Sequence, residues 1–133
     1  MNGFTLMLQD ATRSQQIKGV SDFIAEDASG SFGIRARHAR MITSLSVGLA
    51  RYRIQNGPWQ YLAMPGALLY FHDNTLSIST RHYLQDDDYD RISNALAEQL
   101  LAEEEEMRAT KESLRHMEEE ILRRMWELGR KGG

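Results

Sequence analysis

Arg51-Tyr52-Arg53-Ile54-Gln55-Asn56-Gly57-Pro58-Trp59-Gln60-Tyr61-Leu62-Ala63-Met64 is the stretch from which the fold can be read. Asn56-Gly57 tolerates the positive φ of a two-residue turn, and the flanks Arg51–Gln55 and Trp59–Met64 carry aromatic and β-branched residues, so a hairpin is predicted here. Toward the C-terminus, Pro65-Gly66 marks the next turn and Ala67 to Phe71 is a nearly continuous apolar run, as in a central strand. Asp73-Asn74 supplies another tight turn, after which Leu76 and Ile78 alternate with Ser77 and Ser79. Toward the N-terminus, Leu45, Val47 and Leu49 alternate, and the apolar parity then shifts to Tyr52 and Ile54, which predicts a β-bulge beside Gly48. Val20–Asp27, an edge strand at Ser14–Gly19 and the alternating Phe4, Leu6 and Leu8 complete the set. Seven to ten short strands in residues 1–85 predict a small β-sandwich.

The chain changes character at Tyr83–Asp88. From Asp86 to Leu128 there is no Gly and no Pro, and Glu, Leu, Ala, Arg and Met dominate, the residues that lose least on entering a helix. Drawn as one helix the segment would be roughly 65 Å long. Tyr89, Ile92, Leu96, Leu100, Met107, Leu114, Ile121 and Leu128 keep helical spacing, more apolar surface than a small sandwich needs for its own core. Asp86, Asp87 and Asp88 favour a helix start; Arg123, Arg124, Arg130 and Lys131 favour its end, with Gly129 as a C-cap. The stripe weakens at Glu103–Glu106 and Thr110 can cap a new helix, so two helices, about 87–105 and 110–128, are predicted as a hairpin. The expected class is α+β, with domains at 1–85 and 86–133.

Charge follows the same division. Residues 1–85 hold eight Lys/Arg against five Asp/Glu, a balance of +3; residues 86–133 hold eight against fourteen, a balance of −6. An acidic tail repels phosphate and argues against nucleic acid as the main partner. Arg35, Arg37, His38, Arg40, Arg51 and Arg53 instead suit an acidic protein partner. The chain has no cysteine, which removes disulfides and thiolate metal sites. Its N-terminus lacks a basic, then apolar, leader, and no window is long and apolar enough to insert into a membrane. His72, His82 and His116 have no metal-site spacing, so solvated or structural roles are the commoner reading. No Gly-x-Ser-x-Gly, Walker loop or Gly-x-Gly-x-x-Gly is present, and no catalytic residue, cofactor or metal ligand is nominated. The stripe at Leu114, Met117, Ile121, Met125 and Leu128, with Trp126 beside it, reads as core or as the face for a partner's groove.

One segment has a more specific likeness. Gly30-Ser31-Phe32-Gly33-Ile34-Arg35-Ala36-Arg37-His38 resembles the hallmark loop of the epsilon subunit of F-type ATP synthases, Gly-x-(Phe/Leu)-Gly-Ile-Leu-Pro-x-His. Phe23–Asp27 before it, Ile42–Leu45 and Val47-Gly48 after it, and Tyr61–Leu69 further on keep that family's order and spacing over residues 3–129. The resemblance implies a ten-stranded β-sandwich followed by a C-terminal α-helical hairpin, in a non-catalytic central-stalk subunit coupling ion flow to ATP synthesis. It implies docking on the gamma subunit and on the polar loops of the membrane c-ring, through Gly30, Ser31 and His38. It also implies that the helices reach the alpha/beta catalytic hexamer and restrain hydrolysis, with Arg115, Arg123 and Arg124 as the contacts. The expected location is the cytoplasmic face of the inner (plasma) membrane, peripheral, within the F1 sector.

Two departures mark a divergent member. Arg35-Ala36 replaces the usual Leu-Pro, compatible with the alternate sodium-type branch. Where some members bind ATP through (Ile/Leu)-Asp-x-x-Arg-Ala, this chain has Tyr89-Asp90-Arg91-Ile92-Ser93-Asn94-Ala95, and Asn94 cannot supply the arginine's bidentate cation. No cofactor is therefore expected. The rival class is a self-associating coiled-coil adaptor carrying a β-sandwich binding module. The near-heptad Leu100, Met107, Leu114, Ile121, Leu128 favours it, and Glu103 and Thr110 weaken it.

Overall fold

The computed structural model describes residues 3–131. Among them are nine strands and one helix: β1 (Phe4–Gln9), β2 (Ser14–Asp27), β3 (Gly30–Ile34), β4 (Met41–Leu45), β5 (Gly48–Ile54), β6 (Gln60–Met64), β7 (Ala67–His72), β8 (Thr75–Thr80), β9 (Leu84–Asp86) and α1 (Tyr89–Lys131). The class is α+β, a β-sandwich with a C-terminal helix. The division into two compact units falls between Leu96 and Ala97.

Alternation decides which side chains meet inside the sandwich. Phe4, Leu6 and Leu8 of β1 are buried, and their neighbours Leu76 and Ile78 on β8 and Leu69 and Phe71 on β7 are fully enclosed with them. Phe4 and Phe71 meet edge to face at 5.7 Å. Tyr52, Leu62, Phe23 and Ile34 contribute the facing layer of the same core. Burial of one such side chain stabilises the fold by about 1.5–3 kcal/mol.

The hydrogen-bond path closes on itself. β1 pairs antiparallel with β2 and parallel with β8, and β8, β7 and β4 lead back to β2 at Asp27–Leu45. The other half of β2 pairs with β3 on one side and β5 on the other, and β5 continues to β6 and β9. The fourteen-residue β2 thus belongs to both layers. Its bend is at Gly19, whose φ of +74° is comfortable only without a Cβ; the register with β1 shifts across it and that with β5 just after it, between Val20 and Asp22.

Several expectations are corrected. Nine strands are seen among the described residues, within the seven to ten read from the residues and one fewer than the resemblance implies, and Ser14–Gly19 and Val20–Asp27 form one strand rather than two. The run Leu45–Leu49 is split between β4 and β5, and β5 pairs with β6 without a register shift, so no bulge sits at Gly48. The hairpin turn lies one residue earlier than expected. Gln55 and Asn56 take φ of +50° and +59°, and Gly57 donates its N–H to the Ile54 carbonyl at 2.8 Å. Asp73 and Asn74 form the second such turn as anticipated, with φ of +49° and +58°.

The hairpin of helices is the largest correction: α1 runs without interruption from Tyr89 to Lys131. Thr110 caps nothing; its hydroxyl donates to the Glu106 carbonyl one turn back at 2.9 Å, inside a regular helix. Exposed acids impose no break, since Glu104, Glu105 and Glu106 can all remain hydrated, and Arg108 reaches back to Glu105 at 3.0 Å. Gly129 lies within the helix rather than at its C-cap. The start is capped as expected from the acids: Asp88 accepts the Arg91 N–H at 3.0 Å, and Ile92 N–H closes the first turn on the Asp88 carbonyl. Ile92 is buried.

Candidate docking site

Gly30, Ser31 and His38 do not come together. Gly30 and Ser31 open β3, exposed, where Gly30 pairs with Asp27 and Ser31 with Glu26. His38 lies in the loop after β3. Between Gly30 and Ile34 run about 13 Å of extended backbone at roughly 3.3 Å per residue. The motif that reads as one loop is therefore a strand flanked by two separate polar ends.

The first end is built around Asp27. Its carboxylate accepts the Ser29 N–H and hydroxyl and, on its other oxygen, the Thr43 hydroxyl at 2.8 Å. These bonds, Ser29's first and then Thr43's, hold its carboxyl below the usual aspartate range. One side chain so fixes the β2–β3 turn and ties it to β4.

The second end is built around Asn74. Its side-chain carbonyl accepts the Arg37 N–H at 2.8 Å while its amide donates to the Gly3 carbonyl at 2.9 Å. The loop after β3 is thereby clamped to the β7–β8 turn and to the start of β1. Arg37 itself has φ of +65°, and His38 N–H closes a turn on the Arg35 carbonyl at 3.2 Å. The His38 ring meets Phe71 edge to face at 5.8 Å, and its Nδ1 lies 2.7 Å from the Ala39 carbonyl oxygen. His38 is exposed yet oriented, which suits a contact residue.

The outer face of the second layer holds features that motif reading missed. Asp22, buried, accepts from Arg35 Nε at 3.0 Å and Arg53 Nε at 2.8 Å. Desolvation pushes its pKa up, but hydrogen bonds from Arg53 and Ser21 and the charges of Arg53 and Arg35 outweigh it, and the carboxyl stands below its ordinary value. Arg51 and Arg53 both approach the Trp59 ring, at 4.5 and 4.6 Å from its centroid. The register carries a row Gly33–Ile24–Arg51–Tyr61–Asp86 across β3, β2, β5, β6 and β9. Tyr61 meets Tyr89 at 5.5 Å over a groove of about 280 Å³ that Glu26, Ser31 and Arg51 also line. The shared face of Arg51 and Arg53 was visible as a spacing of two; the acid that Arg53 shares with Arg35, in another strand, was not.

On α1, Arg115, Arg123 and Arg124 are all exposed. At about 100° per residue, Arg115 and Arg123 lie some 80° apart around the helix and Arg124 opposite Arg115, so the three do not form one patch. Arg124 pairs with Glu120 at 3.0 Å. Among the described residues no three His, Cys, Asp or Glu side chains gather where they would hold a metal ion. No helix among them is long and apolar enough to cross a membrane.

The fold thus defines a two-layer β-sandwich with ordered polar ends, followed in sequence by a helix of exposed apolar and charged side chains. Residues 5–85 match the family model of the ATP synthase delta/epsilon chain β-sandwich domain, and the chain belongs to that family. It is 30% identical over 92 residues to ATP synthase epsilon chain 2 of Cereibacter sphaeroides, covering 68% of this chain and 63% of that one. It is 30% identical over 59 residues to the chloroplastic epsilon chain of Huperzia lucidula, 44% of this chain and 42% of that one. The chain thus spans less than two thirds of the length of these relatives. The fold is shared with a chain of the Euglena gracilis mitochondrial ATP synthase (TM-score 0.60, 18% identity, 74% of this chain and 64% of that one). A chain of the Tetrahymena thermophila mitochondrial ATP synthase central stalk and c-ring is similar too (TM-score 0.53, 18% identity, 60% and 64% covered).

Proposed function

We propose that this chain is a non-catalytic central-stalk subunit of a rotary F-type ATP synthase. It would couple ion flow through the membrane ring to ATP synthesis in the catalytic head without an active site of its own. The observation that carries this is the family match over the whole sandwich, residues 5–85, with the Gly30–His38 motif inside it. Residues 1–85 would dock on the gamma subunit and on the ring's polar loops. The Asn74 bond to Arg37 holds the loop that carries His38, and the Asp27 bonds to Ser29 and Thr43 hold the turn just before Gly30 and Ser31, which supports these as contacts, since a segment already ordered loses little freedom on binding.

Residues 86–133 form the regulatory part. Arg115, Arg123 and Arg124 would meet the alpha/beta hexamer, and their spread around the helix suits a tail surrounded by subunits. The continuous α1 is then the extended state. A hairpin of 87–105 and 110–128 is its folded counterpart, bending at 106–109, where every side chain is exposed. The assembly would sit peripherally on the cytoplasmic face of the inner (plasma) membrane. Arg91 is committed to Asp86 through two bonds, at 2.6 and 2.7 Å, and neither Ser93 nor Asn94 offers a cation, so no tight nucleotide site is expected; micromolar ATP binding by isothermal titration would contradict this. The decisive experiment is co-expression with a tagged gamma subunit: co-purification supports the reading, and failure of the full chain to co-purify overturns it.

A further inference from the structure

Among the described residues, two buried apolar side chains stand outside the core between the layers: Ala63 and Ile92. Ala63 lies in β6 between Leu62 and Met64, which belong to that core, so alternation turns it to the outer face of the second layer. Tyr61 shares that face and meets Tyr89 of the first helical turn edge to face at 5.5 Å. The start of α1 is thus laid against the sheet, and Ile92, three residues on, is 1% exposed. Arg91 ties the same junction. Its Nε donates to Asp86 Oδ2 at 2.6 Å, and one terminal nitrogen donates to Asp86 Oδ1 at 2.7 Å and to Asp87 at 3.3 Å. Asp86 is itself fixed in β9 opposite Tyr61, and its Oδ1 also accepts the Asp88 N–H at 3.0 Å. From 104 to 130, by contrast, every residue is exposed.

We propose that Asp86 and Arg91, together with the enclosed Ile92, form a clasp that makes residues 89–96, the first two turns of α1, a fixed part of the sandwich and closes the β9–α1 junction to bending. The two halves of the clasp do different work. A two-pronged contact holds a guanidinium in one plane and one direction, which a single contact does not. An ion pair open to solvent is weakly held by itself. Ile92 supplies what it lacks, since lifting the helix away would return apolar surface to water. The compact unit that contains the sandwich ends at Leu96, where such a clasp would end it. Any change between a folded and an extended tail then takes place beyond Leu96. That consequence rests on reading residues 86–133 as a regulatory tail. The clasp does not, and it is measured in the free chain, where co-purification with gamma plays no part.

Hydrogen exchange of the full chain, followed residue by residue by NMR, reads where the fixed part ends. The amides of residues 93–96 are expected to exchange about tenfold or more slower than those of residues 106–128. Arg91→Ala should remove most of that difference, while the core amides of Leu76 and Ile78 keep their rates and report that the sandwich is intact. Arg91→Lys keeps the charge and loses the two-pronged contact, so it should recover less than half of the protection. Ile92→Ala should speed the same four amides and spare Leu76 and Ile78, because Ile92 lies outside the core between the layers. Exchange at 93–96 as fast as at 106–128 in the parent chain, or unchanged rates there in Arg91→Ala, overturns the proposal.

Discussion

The sandwich and the far part of the helix have comparable shares of large apolar residues and opposite uses for them. In β1, β7 and β8 every second side chain is enclosed, down to zero exposure at Leu6, Leu69, Phe71, Leu76 and Ile78. From Leu100 to Leu128 the same residue types stand in solvent. Truncating a buried side chain loses transfer energy and leaves a void, whereas truncating an exposed one loses neither. The stability of the sandwich therefore rests on the first set of apolar side chains and not on the second, and substitutions can separate the two.

The sharpest contrast is Phe71→Ala against Leu114→Ala. The first removes the partner of Phe4 and His38 and is expected to cost about 3–5 kcal/mol in chemical denaturation. The second should leave the sandwich transition within about 0.5 kcal/mol of the parent. Equal losses would erase the distinction. Thr110→Pro comes next: inside a continuous helix it costs about 3 kcal/mol locally. Circular dichroism should lose helix while the sandwich melts unchanged; retained helicity would mean the chain already bends there.

Asp22→Asn removes the carboxylate that two arginines share and should cost about 1–3 kcal/mol. Its pH signature has a definite sign. The folded pKa lies below the unfolded value, so this stabilisation is complete above the ordinary aspartate pKa of about 3.9 and is lost as pH falls through the folded value. Acid titration of the parent and of Asp22→Asn should thus converge at low pH. Asp88→Ala, which deletes the cap of α1, should have the smallest effect, about 1 kcal/mol, read as fraying of the first helical turn by hydrogen exchange.

Local regularities were legible in the sequence and closures were not. Alternation located Phe4, Leu6, Leu8, Leu76 and Ile78, and Asp73-Asn74 formed the turn their chemistry favours. The parallel pairing of β1 with β8 joins residues some seventy positions apart and is set by how the layers close, which no window contains. The ion pairs of Asp22 depend on β2–β3 and β2–β5 register in the same way. The helical break was misjudged for a different reason. Four consecutive acids weaken an apolar stripe, but they do not withdraw a single backbone hydrogen bond. At the candidate contact site the residue types were recognised by resemblance, while the strand separating Gly30 from His38 emerged only from register.

β2 has a mechanical corollary. Because one unbroken strand is stitched into both layers, a force that tries to slide one layer over the other is carried by covalent backbone rather than by a greasy seam. Shear would have to straighten the kink at Gly19 before the layers could part. A small body laced in this fashion yields as a whole or not at all.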